Sequence, residues 1–80
     1  MSNKFEIRNY GQTGKCFSHL TFTNEKEARE KYASVCITMR NLHEFCEGDA
    51  SALSVIPHAI QLVTYNANCT SLEELELEKM

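Results

Sequence analysis

The sequence predicts a single α+β domain over residues 1–80: a small antiparallel sheet with one long helix packed on one face, in the order ββαβ(β). Three observations predict it. Residues 24–46 repeat apolar side chains at helical spacing, at Ala28, Tyr32, Val35, Met39, Leu42 and Cys46. Two short segments before that stretch alternate with period two. One more alternating segment and an acidic tail follow it. A sheet with a single helix leaves its other face open, and in a chain this small an open face is where a partner would bind.

The first strand sets Phe5, Ile7 and Asn9 on one side, with Glu6, Arg8 and Tyr10 on the other. Gly11-Gln12-Thr13-Gly14 reads as the hairpin turn, since glycines at both ends tolerate positive φ. In the second strand Cys16, Ser18, Leu20 and Phe22 oppose Phe17, His19, Thr21 and Thr23. Burying Phe5, Ile7, Leu20 and Phe22 gives the hairpin a consistent inner face. Asn24 can cap the helix, with Glu27 completing a capping box, and Gly48 is placed to stop it. At ~1.5 Å per residue the helix spans about 33 Å, against roughly 20–25 Å for the strands. Its C-terminal end is therefore expected to overhang the sheet, with Ile37 and Phe45 off the buried stripe.

Residues 49–57 form a connector holding one helical turn begun by Asp49. The third strand, residues 58–66, sets Ile60, Leu62 and Thr64 against Ala59, Gln61, Val63 and Tyr65. Apolar residues on both sides place it centrally. Asn66-Ala67-Asn68 is turn-like. The tail, residues 71–78, fits an edge strand in which Leu75 and Leu77 alternate with a charged outer face of Glu74, Glu76 and Glu78. Leu72, Leu75 and Glu73-Glu74 also fit a short helix capped by Thr70 or Ser71.

A 42% apolar fraction suits a folded globule, and one proline with three glycines argues against a linker. No stretch reaches the ~20 apolar residues of a membrane span. The N-terminal run enters a strand without a signal-peptide core. A cytoplasmic protein is expected, with Cys16, Cys36, Cys46 and Cys69 as thiols. The net charge of −3 disfavours general nucleic-acid binding. Charge is also uneven: residues 1–40 carry seven Lys/Arg against four Glu, while residues 41–80 carry one Lys against seven acids.

Cys16-x-x-His19 with His43-x-x-Cys46 has the ligand types of a tetrahedral zinc site. A strand, however, points Cys16 and His19 to opposite faces. Cys36 and Cys46 fall on the apolar side of the helix, where thiols act as small hydrophobes. No metal and no cofactor are expected. A nucleophilic pair of Cys46 or Cys69 with His43 or His58 lacks any local signature for a lowered thiol pKa or an oxyanion hole. Gly11-x-x-Gly14 lacks the Lys-Ser/Thr of a phosphate loop. The chain is not expected to be an enzyme.

Two surfaces remain as partner-binding candidates. One is the outward sheet face with Arg8, Tyr10, Phe17, His19 and Tyr65, whose aromatics could anchor a protein partner. The alternative use of that face is stacking single-stranded nucleic-acid bases, as a small regulatory module. The other surface is the tail, with Glu73, Glu74, Glu76 and Glu78 presented to a basic groove. Self-association into a homodimer is the further mode of contact.

In size, acidity, absence of motif and hairpin-helix-hairpin order, the chain resembles the small inhibitors that phages and prophages encode against bacterial defence systems, the anti-CRISPR type among them. That class has no shared residue motif, so no functional residue transfers. The resemblance implies a stoichiometric blocker of a host nuclease or surveillance complex that does no chemistry.

Overall fold

The computed structural model describes residues 3–66 and 72–80, apart from the side chains of Phe17 and Ser18. The elements are β1 (Lys4–Tyr10), β2 (Cys16–Phe22), α1 (Glu25–Phe45), the single turn α2 (Ala50–Leu53), β3 (Ala59–Tyr65) and β4 (Leu72–Lys79). The tail is thus a strand, and its short-helix alternative falls. The turn positions Ala67 and Asn68, the thiol of Cys69 and the caps Thr70 and Ser71 lie outside the described residues.

The strands form one antiparallel sheet in the order β2-β1-β3-β4. With β1 antiparallel to both its neighbours, β2 and β3 run parallel on either side of it. The chain must cross β1 to pass from β2 to β3, and α1 makes that crossing. The Cα atoms fill a slab of 47 × 23 × 14 Å, the thickness of one helix layer on one sheet layer.

Local chemistry fixes the ends of each element. Asn24 Oδ1 accepts a hydrogen bond from the Glu27 N–H at 3.1 Å, satisfying one of the donors a helix start leaves unpaired. Asp49 Oδ1 does the same for Ala52, also at 3.1 Å, and begins α2. The hairpin closes through Gly11 N–H donating to the Lys15 carbonyl and Gly14 N–H to the Gly11 carbonyl, both at 3.0 Å. Only Gly14 of that turn takes a positive φ, +84°; Gly48 does likewise after α1.

The core lies between α1 and the two central strands. Ile7, Ile60 and Leu62 are fully buried, and Phe5, Ala28, Tyr32 and Cys36 complete the cluster. Phe22, Val35, Met39, Leu75 and Met80 pack around it. Tyr32 Oη donates to the Ile60 carbonyl at 3.1 Å, so the one hydroxyl in this cluster is satisfied. Burial pushes the pKa of both the Tyr32 phenol and the Cys36 thiol up.

Two expected core residues are corrected. Leu20 is 41% exposed and Leu42 is only half-buried. The helix packs mainly over β1 and β3, and its Arg29 and Arg40 side chains extend to Glu76 and Glu78 on β4. Leu20, on the β2 edge, is left largely uncovered. Ile37 and Phe45 are exposed, as their place off the stripe implies.

Both edge strands carry a bulge. Asn9 pairs with Ser18 and Tyr10 with Cys16, so Phe17 is an extra residue in β2. Leu62 pairs with Glu76 and Val63 with Glu74, so Leu75 is an extra residue in β4. An inserted residue shifts the side-chain alternation by one, so residues before and after it no longer share a face by simple parity.

Leu62→Ala is expected to cost about 2–5 kcal/mol through the cavity it leaves. Leu20→Ala should cost well under half of that in urea unfolding at low protein concentration. Equal losses would contradict the placement of α1. A second expectation concerns acid. Arg40 holds the Glu78 carboxyl below its usual pKa. A carboxylate depressed in the folded state stabilises it above the ordinary value of about 4.3, and that contribution is lost as pH falls through the folded value. The melting temperature should therefore fall less between neutral and strongly acid pH for Glu78→Gln than for the wild type.

Candidate binding face of the sheet

The face of the sheet turned away from α1 carries side chains from all four strands. Across its middle run His19, Arg8, Gln61 and Leu77, each opposite the next. The neighbouring row is Thr21, Glu6, Val63 and Glu74. Among the described residues no element covers this face, yet Val63 is completely buried. Its neighbours on this face are Glu6 and Glu74 across the strands and Gln61 and Tyr65 along β3.

Hydrogen bonds fix those side chains. Tyr10 Oη donates to Gln61 Oε1 at 2.7 Å, and Gln61 Nε2 donates to Glu74 Oε2 at 2.8 Å. The relay links β1, β3 and β4 through one amide that donates and accepts at once. Beside it Arg8 Nε donates to Glu6 Oε1 at 2.6 Å. Glu6 raises the pKa of the Arg8 guanidinium further, with a smaller contribution from Tyr10. The Arg8 charge is therefore already matched within the face. Along the β4 side Leu72 and Leu77 are exposed, giving an apolar margin next to the polar centre.

The fold brings Arg8, Tyr10 and His19 onto this face together, with Arg8 directly opposite His19. Tyr65 shares the face but sits opposite Lys4, six residues along β3 from the Tyr10 partner Ala59. That is roughly 20 Å away at strand spacing, so Tyr10 and Tyr65 do not form one cluster. The side chain of Phe17 lies outside the described residues.

The tail does not present a single charged outer face, because the bulge at Leu75 splits it. Glu74 turns to the open face and joins the Tyr10–Gln61 relay. Glu76 and Glu78 turn to the helix side, opposite Leu62 and Ile60. There Arg29 Nη1 meets Glu76 Oε2 at 3.3 Å, and Arg40 binds both oxygens of Glu78. Glu73 lies opposite Thr64 and is exposed. The unequal charge of the two sequence halves is thus partly neutralised by folding. Gln61 and Leu77 were not singled out by pattern. A lone amide in an otherwise apolar central strand was the available signal for Gln61.

The zinc geometry is also revised. The bulge at Phe17 places Cys16 opposite Tyr10 and His19 opposite Arg8, on the same face by register. His43 is elsewhere: its Nε2 donates to the Pro57 carbonyl at 2.5 Å, and its ring meets His58 edge-on at 4.8 Å. His58 Nε2 donates in turn to the Leu53 carbonyl at 2.6 Å. Both rings therefore clamp the connector to the end of α1. Among the described residues no three His, Cys, Asp or Glu side chains converge as metal ligands. No helix is long and apolar enough to cross a membrane.

Concavities flank the sheet among the described residues. A 400 Å³ cleft between the hairpin turn and the connector is lined by Gly11, Gln12, Thr13, Lys15, Ser54 and Val55. A smaller one of 260 Å³ lies between α1 and β4, bounded by Tyr32, Cys36, Arg40 and Glu78. The chain matches no family model, and no curated protein or solved structure is significantly similar to it.

Tyr10→Phe removes the hydroxyl that starts the relay. Its partly buried site should make the cost about 0.5–1.5 kcal/mol in thermal unfolding, typical of one hydrogen bond. A larger loss would mean that the relay holds the sheet together rather than shaping its surface.

Proposed function

We propose that this chain is a protein-binding domain that acts without catalysis, as a stoichiometric inhibitor blocking a host nuclease or surveillance complex by direct contact. The observation that supports a binding role is the uncovered sheet face, where Arg8–Glu6 and Tyr10–Gln61–Glu74 are fixed by hydrogen bonds beside exposed Leu72 and Leu77. Side chains already held in place lose little conformational entropy on binding, which favours affinity. An aromatic next to an apolar margin is the composition of an interface centre. The partner class comes from the resemblance in size and architecture to small phage inhibitors. Use of the face by nucleic acid is the weaker reading, because Glu6 and Glu74 stand at its middle and repel phosphate.

Affinity capture from a host lysate identifies the partner, and variants then locate the surface. Tyr10→Ala and Leu77→Asp are each expected to weaken binding to the captured protein by about 2 kcal/mol, with little change in salt dependence. Reversing Glu73, which lies away from the relay, should leave affinity nearly unchanged. Full affinity in both face variants, or capture of bare nucleic acid, would overturn the proposal.

A further inference from the structure

We propose that the outer edge of β2 pairs with the same edge of a second copy of this chain, joining two sheets into one about a two-fold axis at Leu20. β2 ends the sheet, and among the described residues no strand lies beside its outer edge. Sheet edges are commonly protected by charged side chains, proline or bulges. β4, the other edge, has that protection: four glutamates, Lys79 and a bulge at Leu75 in mid-strand. β2 reads Cys-Phe-Ser-His-Leu-Thr-Phe, with no acidic residue, lysine, arginine or proline. Its bulge lies at one end, at Phe17, and leaves residues 18–22 in regular register.

That regular segment is centred on Leu20. Antiparallel pairing about Leu20 sets it against Leu20 of the partner subunit. Thr21 then meets the partner's His19, and Phe22 meets the partner's Ser18. Directly opposite residues of antiparallel strands share a face, so the apolar side chain that α1 leaves 41% exposed is covered by its own copy. A second copy fits better than a foreign strand because the edge is complementary to itself: neutral residues meet neutral residues, and leucine meets leucine. The same operation at β4 would set glutamates near glutamates. The two helices then lie on one side of a sheet of doubled width, and both open faces stay accessible, so this inference stands apart from the inhibitor reading. So short a paired edge buries less area than a standard interface, and the dimer should dissociate on dilution.

Sedimentation equilibrium over a dilution series tests this. The wild type should move from two chain masses to one. Leu20→Lys, at a position exposed enough to accept it, should raise the dissociation constant about a hundredfold or more by opposing two ammonium groups. Leu77→Lys on β4 should leave the constant unchanged. If Leu20→Lys fails to fold by circular dichroism, mild oxidation decides. Leu20→Cys should then form a covalent dimer much faster than Thr21→Cys or the wild type. A wild type that is monomeric at every concentration, dimerisation lost in Leu77→Lys but kept in Leu20→Lys, or equal cross-linking of the two cysteine variants would overturn the proposal.

Discussion

An α-helix is about 10 Å across and strands lie about 4.8 Å apart, so α1 can cover two strands of the four. The order β2-β1-β3-β4 decides which two. The helix must travel from the end of β2 over β1 to the start of β3, and it lies over the central pair. The completely buried residues of the core cluster follow from this: Ile7 on β1, Ile60 and Leu62 on β3, and Ala28 on the helix. Both edges are left with partial cover and solve the problem differently. At β4 the helix supplies Arg29 and Arg40, and the strand supplies Glu76 and Glu78. At β2 no such pairs are seen among the described residues, and Leu20 stays in contact with water.

The bulge at Leu75 makes the β4 arrangement work. Without it, Leu75 and Leu77 would share one face, and Glu74, Glu76 and Glu78 the other. With it, Leu75 reaches the core while Leu77 lies on the open side with Glu74. One extra residue lets a strand of alternating Leu and Glu contribute an apolar contact and two ion pairs to the helix side. It also contributes a carboxylate and a leucine to the open side. The fixed polar centre of that open side, with its apolar margin, is therefore a product of the same phase change.

Helical periodicity made α1 legible from the sequence, because the stripe from Ala28 to Met39 is long and Asn24 marks its start. The central place of β3 was legible from apolar residues on both its sides, since only an interior strand needs them. Leu20 was misread because its alternation with Phe22 is genuine; what fails is cover, and cover depends on which strands the helix overlies. The charged outer face of the tail was misread because bulges have no residue signature in a Leu/Glu alternation. The grouping of Arg8, Tyr10 and His19 on one face followed from strand parity. Their coupling to Glu74 through Gln61 did not, because it needs the register of three strands at once.

The division of side chains between the two faces rests on the phase change in β4, and side-chain proximity measured by nuclear Overhauser effects tests it most directly. The Leu75 methyls should show contacts to Ala28, Tyr32 or Cys36 on the helix side, and the Leu77 methyls to the Gln61 side chain on the open face. If Leu75 and Leu77 share the same neighbours, the strand is unbulged, the carboxylates are not divided between the two faces, and the account fails.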